Sequence, residues 1–167
     1  MKKTILMLAT LLAAATAQAE IHVQDAWARF TVAGQQAGGV FMQLSNDGQA
    51  DVLVGGSSPL AEKVEIHTHS MRDGKMQMHE IEGGLPLPAN QSVSLKPGSY
   101  HVMLIGLKQP LTGGNSFPLT LKFRDAPEQT LTITVRTPAQ EAAQARRDAQ
   151  PPVRQHQHGP AIGPISQ

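Results

Sequence analysis

Residues 64–81 read VEIHTHSMRDGKMQMHEI, and the fold is decided by how these residues pair. Asp73-Gly74 interrupts two runs of strand-forming residues, and Asp-Gly is a strong signal for a two-residue hairpin turn. With that dipeptide at the tip, Ile66 faces Ile81 and His69 faces Met78, with His67 the diagonal neighbour of Met78. Side chains alternate faces along a strand, so Ile66 and Ile81 turn to a core. His67, His69, Met71, Met76, Met78 and Glu80 then share the opposite face. A slip of one residue would bury the imidazoles and expose the isoleucines, so the pattern selects this register.

Outward from the hairpin, the chain continues as short β-like runs near 21–29, 39–45, 51–57, 63–70, 75–81, 92–95, 100–107, 117–124 and 130–136. Turn chemistry separates them at Asn46-Asp47-Gly48, Pro97-Gly98 and Gly113-Gly114-Asn115. Leu119, Leu121 and Phe123, then Leu131, Ile133 and Val135, alternate with other residues as half-buried antiparallel strands do. Many short strands without an amphipathic helix between them predict an all-β domain, a Greek-key sandwich or barrel. Trp27 is expected in its core, and His22 and His79 on its surface.

A second donor group follows at Tyr100-His101-Val102-Met103-Leu104. Residues two apart on a strand point the same way, so His101 and Met103 converge while Val102 and Leu104 serve the core. Brought beside the hairpin, they assemble two imidazoles and two thioethers: His67, His101, Met78 and Met103. Thioethers suit Cu(I), and neutral imidazole suits several transition metals. The chain has no cysteine, which excludes a blue-copper electron carrier, since that site requires a thiolate. Methionine as ordinary packing, or as a greasy edge for a protein partner, is the competing reading.

At the start, Lys2-Lys3, an apolar run over 4–15 and Ala17-Gln18-Ala19 have the form of a secretory signal cut after Ala19. The run is shorter than the roughly 20 residues of a membrane span. A free, monomeric periplasmic protein is the expectation, with one domain over 20–137. Without Lys2 and Lys3 the balance falls from 14 basic to 12, against 13 acidic residues. A near-neutral domain has no broad basic face, which argues against nucleic acid as a partner. No nucleophile–base arrangement points to an enzyme.

The runs 64–71, 73–78 and 95–104 together resemble the periplasmic copper chaperones of the PCu(A)C type. That family's signature is a His, ten residues, a Met, about twenty-one residues, then H-x-M. Here His67 and Met78 enclose ten residues, and His101-Val102-Met103 follows after twenty-two. Asp25-Ala26-Trp27-Ala28-Arg29 and Ser57-Ser58-Pro59 add to the likeness, which spans about residues 21–135. The resemblance implies a cupredoxin-like fold and ligand roles for His67, Met78, His101 and Met103. It also implies Cu(I) delivery to the copper centre of a respiratory cytochrome oxidase, the partner being an oxidase subunit or a thiol-containing assembly protein. Many relatives carry Met next to or shortly after the first His, where this chain departs with Thr68 and His69; His69 and Met71 are candidates for a reserve ligand.

From Pro138 the composition shifts to Ala, Gln and Arg, then Pro151-Pro152, and a flexible tail over 138–167 with a frayed helix near 139–149 is expected. Its His156 and His158 are candidates for Cu(II), as in the extensions of some relatives. Copper sequestration and a metal-independent interaction module are the alternatives to delivery.

Overall fold

The computed structural model describes residues 19–148. The signal sequence read at the start, and His156 and His158, fall outside those residues except for Ala19. The strands are β1 (Ile21–Arg29), β2 (Ala37–Asn46), β3 (Asp51–Ser57), β4 (Lys63–Arg72), β5 (Lys75–Glu80), β6 (Leu85–Leu87), β7 (Gln91–Leu95), β8 (His101–Ile105), β9 (Ser116–Phe123) and β10 (Gln129–Arg136). A helix, α1 (Pro138–Asp148), follows.

Neighbouring strands run in the order β4-β8-β2-β1-β10-β9-β3, and a β3–β4 pairing at Gly56 and Val64 closes the ring into a seven-stranded barrel. The β4–β5 hairpin projects from it, β6 pairs with β3, and β7 pairs with the distal half of β2. Ile66, Val102 and Leu104 are buried inside, against Val40, Leu121 and Ile133. The three-residue β6 escapes a pattern reading because Pro86 occupies its centre, which an outer strand tolerates.

At the hairpin tip Asp73 and Gly74 take φ of 51° and 72°, both left-handed as a type I′ turn requires. The register follows: His67 opposite Glu80, His69 opposite Met78, Met71 opposite Met76. Ile81 donates its N–H to the Ile66 carbonyl at 2.8 Å, extending the ladder as the alternation predicts.

Trp27 corrects the expectation placed on it. Alternation from Ile21 and Val23 puts residue 27 inside, but the β1–β2 register shifts between Gln24 and Trp27, with Asp25 at φ 51°. The bulge inserts one residue and exchanges the faces beyond it. Ala28 therefore turns into the core, while Trp27 lies half-buried outside it, opposite Phe41.

The helix expected near 139–149 is present as α1, and it is capped. Gln140 N–H donates to Thr137 Oγ1 at 3.2 Å and Thr137 N–H donates to Gln140 Oε1 at 2.8 Å, a reciprocal cap, with Pro138 at the first helical position. Arg29 Nε donates to Glu141 Oε2 at 2.9 Å and ties the helix to the barrel.

One buried carboxylate holds two loops together. Asp51 accepts from Val52 N–H at 2.7 Å, Asp125 N–H at 3.0 Å and Ala126 N–H at 2.8 Å. Burial by itself raises its pKa, but these backbone donors and Arg124 outweigh it and hold the carboxyl below the usual carboxylate range. The folded pKa is depressed, so the stabilisation is complete above the unfolded value of about 3.9 and is lost as pH falls through the folded one. Asp51→Ala is expected to cost about 2–3 kcal/mol in urea unfolding at neutral pH, with the difference from wild type shrinking in acid. A pH-independent difference would refute this.

Candidate metal centre

Strands β5, β4 and β8 lie side by side and present their donors on the outer face of the sheet. On β4–β8, His67 is opposite His101 and Glu65 opposite Met103; on β8–β2, Met103 is opposite Gly39. The alternation that sends Val102 and Leu104 fully into the core turns His101 and Met103 to this face.

His101 is the centre of the arrangement. It is only 4% exposed, with ring centroids 5.3 Å from His69, 6.0 Å from His67 and 6.1 Å from Phe41. Its Nδ1 lies 3.0 Å from the Ser99 carbonyl, which can only accept, so Nδ1 carries the proton. Burial pushes the imidazole below its ordinary pKa; the neighbouring His69 and His67 add to this and the Ser99 contact opposes it. Burial therefore favours the neutral ring. Its Nε2 then presents a lone pair to Met78 Sδ, 3.1 Å away. Two electron-pair donors facing each other without a proton between them form a seat for a soft cation.

His67 is prepared in a similar way through a different atom. Its Nε2 lies 2.9 Å from Glu65 Oε2, so the carboxylate takes that N–H, and the His67 contact followed by Lys63 holds Glu65 below the usual carboxylate range. His67 Nδ1 is left buried with no hydrogen-bond partner. A buried nitrogen without a hydrogen-bond partner is a candidate donor for a metal. In both rings the second nitrogen is fixed by a neighbour, as metal-binding histidines usually require.

A cleft of about 250 Å³ opens here, lined by His69, Met78, His101 and Met103 together with Phe41 and Arg29. Phe41 lies between Trp27, at 4.7 Å, and His101, and the Arg29 guanidinium stands 5.6 Å from its ring. Of the residues singled out by spacing, Met78 and His101 are in contact and Met103 shares their cleft. His67 stands beside His101 but does not line the cleft, whereas His69 does. Met71 lies at the far end of the hairpin. Sequence reading missed Glu65 and the Ser99 carbonyl as positioning groups, and Phe41 as a wall. Of these only Glu65 had a visible signal, its spacing of two from His67 on one strand face. Among the described residues, no three His, Asp or Glu side chains converge to hold a metal.

Comparison with known proteins places the family and the fold. The family described as "Putative lipoprotein LpqE-like" matches residues 21–135. "Putative lipoprotein Lxx21020" of Leifsonia xyli subsp. xyli is 31% identical over 117 residues, covering 70% of this chain and 69% of that protein. Among solved structures, the copper-bound PCuAC domain from PmoF2 superposes with a TM-score of 0.60 at 25% identity, over 73% of this chain and 97% of the domain. The solution structure of CuI-DR1885 from Deinococcus radiodurans gives 0.54 at 29% identity, over 77% and 86%. The barrel is thus of the cupredoxin-like PCuAC type.

Proposed function

This chain belongs to the LpqE-like family and has a domain of the PCuAC copper-chaperone type, and from that premise we propose that it carries Cu(I) outside the cytoplasm on His67, Met78, His101 and Met103. The observation that carries this reading is the 3.1 Å approach of His101 Nε2 to Met78 Sδ, with the imidazole proton held on the other nitrogen by Ser99. His67 contributes its unpartnered Nδ1, and Met103 closes the set from β8.

The chemistry is carriage and exchange, without catalysis. Neutral nitrogen and thioether donors hold a soft monovalent ion without a protein counter-charge. Met78 is 44% exposed, so a partner's thiolates reach the ion from its side and displace the weaker thioethers one at a time. The recipient is the copper-accepting subunit of a respiratory cytochrome oxidase or a thiol-containing assembly protein. His156 and His158, in the chain beyond the helix, are proposed to take Cu(II). Among the described residues no helix is long and apolar enough to cross a membrane.

The test is competition for Cu(I) against a chromophoric chelator, with X-ray absorption on the loaded protein. One ion per chain with two sulfur and two nitrogen neighbours is the expected result; a site without sulfur overturns the assignment. A respiratory-oxidase defect on deletion, rescued by added copper, separates delivery from storage.

A further inference from the structure

The hairpin carries more sulfur than the proposed site uses. Met71 and Met76 face each other across the β4–β5 ladder, each 62% exposed. Directly opposed side chains have Cβ atoms about 5 Å apart, within reach of one ion for two flexible thioethers. The next pair inward on the same face is His69 and Met78, about 7 Å along the strands. The diagonals Met71–Met78 and Met76–His69 span roughly 7–8 Å, which long side chains bridge.

The choice of residues points to a ligand for these side chains. Among the described residues, the exposed large apolar side chains are Val32, Val54, Met71, Met76, Met78 and Tyr100, so half are methionines of this one hairpin. The outer face of the hairpin has no leucine, isoleucine, valine or phenylalanine; every apolar position on it bears sulfur. A face built only to dock a protein has no need of that restriction. Both thioethers are neutral and solvent-accessible, so their hold on an ion is weak and quickly reversed.

We propose that the Met71–Met76 pair is a second soft-metal site, a capture point at which Cu(I) enters before passing along the hairpin face to Met78 and His101. This rests on the copper-carrier reading above. The step is ligand exchange only: a sulfur–metal bond forms at Met78 as one to Met71 or Met76 breaks, with no change of oxidation state.

The test uses the full chain with methyl-labelled methionine, titrated with Ag(I), a redox-inert soft monovalent ion. Met78 and Met103 methyl resonances are expected to shift with the first equivalent, and those of Met71 and Met76 together with the second. The Met71→Leu/Met76→Leu variant keeps the apolar surface and removes the sulfur. It is expected to retain main-site affinity but load Cu(I) from a chelator about tenfold more slowly, the low end of the spread among variants of one binding surface. Stationary Met71 and Met76 methyls, or wild-type loading in the double variant, overturn the capture site. If Met78 and Met103 stay stationary as well, it is the carrier reading that fails.

Discussion

A His101→Asn variant is expected to lose Cu(I) affinity by at least about a hundredfold, because outer partners of a metal ligand alone account for 10–100-fold. The substitution is chosen to separate binding from folding. The asparagine amide occupies nearly the position of Nδ1–H and continues to donate to the Ser99 carbonyl, now at 3.0 Å from His101. The lone pair aimed at Met78 disappears. His101 is buried at 4% exposure beside Phe41, so an alanine would also leave a void and confuse the two effects. Chelator competition reads the affinity and urea unfolding of the metal-free protein reads the fold. Near-wild-type affinity in a folded variant would remove His101 from the ligand set, and with it the core of the proposed function.

The second large effect is expected at the barrel seam. Gly56 pairs with Val64 on one side and Leu121 on the other, and its pairing with Val64 closes the ring. A Cβ built there lies 2.4 Å from the Thr120 carbonyl oxygen and 3.1 Å from Val64 Cγ1. The first obstacle is backbone and cannot rotate aside. Gly56→Ala must therefore spread β3 from β9 or β4, and about 3 kcal/mol of lost stability is expected, the upper part of the range for overpacking. Copper affinity should fall as well, since Val64 lies on the strand that sets His67 opposite His101. Gly83→Ala is the control: φ is 81° but nothing lies within 4 Å, so only about 1 kcal/mol of local strain is expected. Equal losses in the two variants would show that the seam tolerates a side chain.

The hairpin shows how much of the site was legible beforehand. Asp73-Gly74 defines the turn, the turn defines the register, and the register puts His69 beside Met78 and their face away from Ile66. Each step depends on neighbours in the chain, so each can be read from it. The same holds for Val102 and Leu104 against His101 and Met103 on β8. The limit appears at Trp27, where one inserted residue near Asp25 reverses the alternation. At α1 the helix expected near 139–149 is present, and what composition did not disclose is its anchoring by the Thr137–Gln140 cap and the Arg29–Glu141 contact.

By itself the sequence determined the strands other than β6, the two faces of the hairpin and which residue types were gathered on one of them, because period-two alternation and turn chemistry are local. Only the tertiary structure decided that β8 lies against β4, that His69 lines the cleft while His67 stands beside it, and that Ser99 and Glu65 fix the protons on their imidazoles. Alternation tells which way a side chain points. What it meets there depends on which distant strand the closing barrel brings alongside.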